Sequence, residues 1–375
     1  QWHPPVEMKR VMTQTPRSLS TLALALSACG LTVPTLSRRL LRLSLPALLL
    51  LATALAMLLA LGIGRFPLAP AEVAGYGLAR LGWHHLDPAR LALLENVIVD
   101  IRLPRVLTAV LVGAALASSG AAYQAVFRNP LVSPGLLGVL AGAAAGAALG
   151  MLYGGDWRLV QLGAFALGGT AVLLGLLLAS WCGGALITLV LGGMISGALF
   201  TALLSMIKYL ADPYNQLPAI VYWLMGSLSM SSLADLARLG PPIAVAVAAL
   251  CLCGRALDAL AMGDDEARSL GVPVRALRYT VIGLATLASA LTVSLAGMIG
   301  WVGLLVPHLA RLLVGPGNAR LLPVSACLGA IFLLLADGLA RTLTSTEIPL
   351  GILTELLGIP AFVLVLRRAR QGWLT

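Results

Sequence analysis

Residues 159–207 read LVQLGAFALGGTAVLLGLLLASWCGGALITLVLGGMISGALFTALLSMI, 49 consecutive positions without a charged side chain. At a rise of 1.5 Å per residue, one helix of that length would run about 74 Å, more than twice the ~30 Å hydrocarbon layer of a bilayer. The stretch therefore holds two membrane-crossing helices, and Cys182-Gly183-Gly184 is where the chain turns between them.

The rest of the chain follows the same logic. Of its 375 residues 59% are hydrophobic and 11% charged, and the mean hydropathy is +0.95. A soluble globular domain carries about 25% charged residues, so an ordinary water-soluble enzyme is excluded. The 40 glycines and 21 prolines fit membrane helices, which tolerate both. Charge-free intervals place spans at 43–64, 106–127, 129–155, two within 159–207 and two within 279–310, and intervals with a single charge place three more at 236–253 (Arg238), 321–340 (Asp337) and 350–366 (Glu355). The expected fold is all-α, a polytopic bundle of ten transmembrane helices with both termini in the cytoplasm. Residues 1–42 are an N-terminal extension, 65–100 an external loop with short helices, 255–275 a charged internal segment and 371–375 a tail. The run ending at Cys29 mimics a lipoprotein signal, but the basic Arg38, Arg39 and Arg42 behind it argue for a cytoplasmic extension. On this topology 16 of the 25 basic residues lie inside, as the positive-inside bias requires.

The net charge of +10 is thus topological, and no basic, aromatic-rich patch points to nucleic acid. Cys29, Cys182, Cys251, Cys253 and Cys327 lack zinc or disulfide spacing and read as small hydrophobes. No metal is expected. There is no G-x-x-x-x-G-K-[ST] phosphate loop, and the only lysines are Lys9 and Lys208. Neither an H-E-x-x-H helix nor a G-x-S-x-G elbow is present, so catalysis by this chain alone is not expected.

Small residues recur every four positions at Gly138, Gly142, Gly146 and Gly150, which reads as close helix packing. Gly193, Gly197, Thr201, Ser205 and Lys208 form a second stripe, and Gly351, Thr354, Glu355 and Gly358 a third. The added polar groups leave two readings for these, packing or the wall of a translocation path. Glu355 stands in an apolar helix, where a carboxylate costs about 2.5–3.5 kcal/mol on insertion scales and is a functional candidate by default. The alternative is a neutral Glu hydrogen-bonded to a neighbouring helix. Asp337 lies one helical turn from Arg341, and His308, after Pro307, reads as a structural hydrogen-bonding residue.

An ordered series of segments then carries a resemblance. It runs Arg102-Leu103-Pro104-Arg105-Val106, Val112 through Gly120, Phe127-Arg128-Asn129-Pro130-Leu131, Pro134 through Gly138 and Tyr222 through Ser227. It continues with Ala267-Arg268-Ser269-Leu270-Gly271-Val272-Pro273, Trp301 through Arg311, and Leu335-Ala336-Asp337 through Arg341. In order and spacing these segments resemble the FecCD/BtuC-type permeases of ABC importers for haem, ferric siderophores and cobalamin, over about residues 40–370.

The resemblance implies a type II ABC importer permease: a ten-helix chain of the bacterial inner membrane that pairs as a homodimer. Its implied partners are two cytoplasmic ATPase subunits, which use ATP and Mg, and a periplasmic substrate-binding protein; this chain would bind no cofactor. The charged segment becomes the coupling helices, with Asp264, Glu266, Arg268, Leu270, Gly271 and Pro273 against the ATPase. Arg102, Arg105 and Arg341 would dock the binding protein. Gly193, Gly197, Thr201, Ser205, Thr354 and Glu355 would line the path, Glu355 departing from the small or apolar residue expected. Haem or another iron chelate is the preferred cargo; a cobalamin permease, an ion-coupled secondary transporter and an integral-membrane enzyme are the alternatives.

Overall fold

The computed structural model describes residues 35–373 apart from Arg65, Pro67, His84, Gly155 and Gly184; side chains of 35–44, Pro46, Pro70 and 365–373 are not among those described. The N-terminal extension up to residue 34, with Cys29, and the last two residues of the expected tail lie outside the described residues. Residues from Leu49 onward form one compact unit, which holds the helical bundle.

Among the described residues the chain is helical, without strands. The helices are α1 (Thr35–Gly62), α2 (Pro70–Arg80), α3 (Pro88–Glu95), α4 (Leu103–Phe127), α5 (Val139–Tyr153), α6 (Trp157–Trp181) and α7 (Leu186–Leu210). They continue with α8 (Gln216–Leu224), α9 (Leu233–Leu252), α10 (Gly254–Met262), α11 (Asp264–Ser269), α12 (Val274–Ala296), α13 (Val302–Val314), α14 (Asn318–Thr342) and α15 (Leu350–Trp373). Among the described residues six stretches are long and apolar enough to cross a membrane: 88–127, α6, α7, α9, α12 and α14. Residues 47–62, α5, α13 and 350–364 are shorter apolar helices. The charge-free run 159–207 does form two helices that turn at 182–185.

Three boundaries differ from expectation. α1 starts at Thr35, inside the expected extension, and α15 continues to Trp373, through most of the expected tail. The loop expected over 65–100 holds short helices, α2 and α3, as expected, but α3 runs without interruption through a π-helical turn, Asn96–Arg102, into α4. Pro104 supplies the reason. It has no N–H for the carbonyl of residue 100, and its ring crowds that carbonyl, which the wider turn accommodates without ending the helix.

α4 is the central element, buried on almost every face and packed against α9, α12, α13 and α14. Its glycines set those contacts. A Cβ on Gly113 would strike the backbone of Gly329 in α14, and one on Gly120 the backbone of Gly303 in α13. Close backbone approach replaces the hydrophobic drive that lipid removes. The 138–150 stripe packs as expected, with Gly146 against Gly163 and Gly142 against Leu167 and Ala171 of α6. A large apolar interior joins α4, α9, α12, α13 and α14, and smaller ones include one among α5, α6, α7 and α8.

Candidate functional site

Charged side chains collect at the two ends of α4, which at 25 residues separates them by about 37 Å. At its N-terminal end Arg105 Nε donates to Asp337 Oδ1 at 2.8 Å, and its Nη1 lies 3.0 Å from Glu347 Oε2. Arg341 Nε lies 3.0 Å from Asp337 Oδ2, so one carboxylate 1% exposed bridges two arginines. Arg341 also donates to the carbonyl of Ile63 at 2.8 Å, and Arg102 donates to the carbonyls of Leu61, Gly62 (3.0 Å) and Phe66. The cluster ties α4, α14, the end of α1 and the loop before α15 together.

The expectation that Arg102, Arg105 and Arg341 stand ready for an external partner meets a different geometry. Their exposures are 4%, 7% and 6%, and each guanidinium bonds within the chain. The proximity of Asp337 to Arg341 is as expected. Glu347 escaped notice because nothing in its local sequence signals a partner 242 positions away. On the exposed side of this end, Glu72 pairs with Arg90 and Arg80 with Glu95, holding α2 against α3. Arg90 and the Ala69 N–H hold the Glu72 carboxyl below its ordinary value.

At the other end of α4, the short helices α10 and α11 are fastened to three long ones. Arg128, which ends α4 in the left-handed region (φ 48°), donates from Nε to the carbonyl of Leu260 at 3.0 Å and pairs with Asp264. Arg278 of α12 lies 3.1 Å from the same carboxylate. Asp258 of α10 accepts from the first N–H groups of α14, Asn318 and Ala319 (3.2 Å), filling a helix N-cap. Burial alone would raise the Asp264 carboxyl, but hydrogen bonds and charge from Arg278 and Arg128 hold it below the usual carboxylate range. Asp264 therefore faces inward, while Glu266, Arg268, Leu270, Gly271 and Pro273 are exposed. Leu270 and Met262, apolar yet 62% and 67% exposed, crown this end. Arg128, Arg278 and Asp258 went unassigned from sequence, since lone charges flanking spans look like topology markers.

Between the ends, at the level of Leu116 midway along α4, a cavity of about 230 Å³ is lined by Ser133, Gly135, Gly300, Trp301, Leu304 and Glu355 among others. Glu355 is exposed there. Trp301 sits in the left-handed region (φ 66°), strained for a bulky side chain, in the break between α12 and α13. It is wedged against α15, packing edge-on to Phe362 at 6.2 Å and over Gly358.

The expected path residues divide. Gly193 is buried, its absent Cβ space occupied by Leu136 and Leu137, and Thr354 is fully buried with its hydroxyl on the carbonyl of Gly351 at 3.1 Å. These two serve packing. Gly197 is half-buried beside Gly138, whereas Thr201, Ser205 and Glu355 are exposed. His308 Nδ1 bonds the carbonyl of Leu304 at 2.8 Å, a structural role. Among the described residues no group of three or more His, Cys, Asp or Glu side chains could hold a metal ion.

A family model described as the FecCD transport family matches residues 49–368. The molybdate import system permease protein MolB of Haemophilus influenzae is 39% identical over 326 residues, 87% of this chain and 95% of its own length. The hemin transport system permease protein HmuU of Yersinia pestis is 38% identical over 286 residues, 74% of this chain and 84% of its own. The vitamin B12 import system permease protein BtuC of Citrobacter koseri is 38% identical over 283 residues, again 74% and 84%. A solved structure described as an inward-facing conformation of a metal-chelate type ABC transporter matches with a TM-score of 0.77 at 37% identity, covering 87% of this chain and 99% of that one.

Proposed function

The chain belongs to the FecCD transport family and is an ABC transporter permease; from that premise we propose that it imports an iron chelate or haem across a bacterial inner membrane by alternating access. The four shorter apolar helices complete ten spans in this reading, with both termini cytoplasmic. Two copies pair, two separate ATPase subunits supply ATP and Mg, and a periplasmic protein delivers cargo. Relatives named for molybdate, hemin and vitamin B12 leave the cargo to be chosen on other grounds.

One observation carries the mechanism. The α10–α11 pair presents Leu270, Glu266 and Arg268 outward, while Asp264 and Asp258 fasten it to α4, α12 and α14. Such a unit transmits force as a block, which is what coupling to an ATPase requires. At the opposite end Arg102, Arg105 and Arg341 support docking from beneath by fixing the backbone that a binding protein meets. Gly197, Thr201, Ser205 and Glu355 remain the path residues in this reading. Asp337, closed within its ion pairs, is not open to a coupling cation.

The test is ATP hydrolysis and uptake by the reconstituted complex with its binding protein loaded with haem, a ferric siderophore, cobalamin or molybdate. Stimulation by an iron chelate or haem is expected. Stimulation by cobalamin or molybdate alone would overturn the cargo, and uptake independent of ATP would overturn the importer.

A further inference from the structure

Glu355 poses a problem that packing does not solve. Its side chain is exposed at mid-depth of the bundle, at the level of Leu116, and an ionisable group there is costly against lipid. The face that carries it therefore looks onto water or protein. It also opens into the cavity beside Trp301, whose remaining lining is apolar or hydroxyl: Ser133, Gly135, Gly300 and Leu304 among them. No arginine, lysine or histidine lines that cavity. A negative charge in a poorly screened, narrow space sets the local potential over several ångströms.

We propose that Glu355 is a charge filter on the translocation path, so that the cargo passing it is a neutral or cationic ferric chelate rather than an oxyanion or a polyanionic chelate. The inference rests on the importer reading and narrows its cargo from an iron chelate or haem to the chelate, since two propionates leave ferric haem anionic. Ferric iron held by three hydroxamates is neutral overall, and one added ammonium makes the complex cationic; both are accepted. Held by three catecholates, the same ion carries three negative charges and is repelled, as is dianionic molybdate. Trp301 adds an apolar wall suited to an organic ligand shell and to neither small oxyanion nor bare ion.

Two readouts keep the filter separable from the importer reading. The first needs no cargo. In a chain with alanine at its five native cysteines, Ser133→Cys is labelled in membranes with cationic and with anionic methanethiosulfonates. The cationic reagent should react faster, and Glu355→Gln should reduce the cationic-to-anionic rate ratio by about tenfold. An unchanged ratio overturns the filter. The second uses the reconstituted complex with ferric trihydroxamate, ferric tris-catecholate and molybdate as probes. Wild type should take up the trihydroxamate, and Glu355→Gln should lower its preference over the tris-catecholate at least fivefold, with Glu355→Lys lowering it further. Wild-type uptake of molybdate, or equal preference in all three chains, also overturns the filter. If none of the probes enters, the importer reading has failed for these cargoes, and the labelling ratio still decides the charge at Glu355.

Discussion

Replacing Asp337 with Asn removes the charge that two buried arginines share. At 2.8 and 3.0 Å, each contact has a gross attraction of about 5–6 kcal/mol at an effective dielectric constant near 20. Most of this offsets the desolvation of three buried ions, so the net worth of the bridge is small. Removing one partner is different, because an uncompensated buried charge costs about 3–5 kcal/mol. The loss is unevenly shared. Arg105 keeps Glu347 at 3.0 Å, whereas Arg341 is left with the carbonyls of Ile63 and Ala60. Asp337→Asn should therefore destabilise the purified chain by about 3 kcal/mol in reversible unfolding in detergent micelles. Adding Arg341→Met should restore about 1–2 kcal/mol, since the orphaned charge is then gone. A loss below about 1 kcal/mol, or effects that simply add, would refute the bridge as the element holding α4 to α14.

Three other perturbations have definite outcomes. Gly120→Ala places a methyl group into the backbone of Gly303 and should cost about 1–3 kcal/mol in the same assay, while Gly169→Ala, with open space around it, should gain up to about 1 kcal/mol. The Asp264 carboxyl is held below its ordinary value, so its contribution is complete above the ordinary carboxylate pKa and disappears as pH falls through the lower folded value. Amide exchange in α11 should accordingly accelerate only under acid conditions, and Asp264→Asn should show that fast exchange at neutral pH; protection surviving in the variant would refute the tether. Leu270→Glu should reduce co-purification of the partner ATPase by about tenfold without changing thermal stability, as an exposed coupling contact requires; unaltered co-purification would remove Leu270 from that contact.

How much of this chain is legible in its sequence depends on the range of the interactions concerned. The two helices in 159–207, the close packing of the 138–150 stripe and the charged helices after Gly254 are written in local composition, and all are present. Arg105 and Asp337 are 232 positions apart, so nothing near either marks it as one half of a buried bridge. Arg105 instead looks like a flanking charge that delimits a span, and Asp337, inside the expected span 321–340, points only to Arg341. The same ambiguity hid the helical run ahead of α4, where Glu95 and Asp100 read as loop, and Arg102, read as a docking residue, lies buried against carbonyl oxygens. Among path candidates, spacing by four could not separate Gly193, which faces a neighbouring backbone, from Thr201, which faces outward. Glu355 was legible for the opposite reason. A lone carboxylate in an apolar helix needs no partner to be conspicuous.

The double fastening of α4 has a consequence for motion. With Gly113 pressed on α14, Gly120 pressed on α13, Asp337 bridging one end and Asp264 the other, α4, α12, α13 and α14 are fastened as one block. In the importer reading, a change of access falls to the elements around that block, α7 and α15, which keep large exposed faces. The break at 297–301, set by Gly297 (φ 71°) and Trp301 (φ 66°), belongs to that block, so in the importer reading the Glu355 cavity is where its fixed wall meets the moving α15.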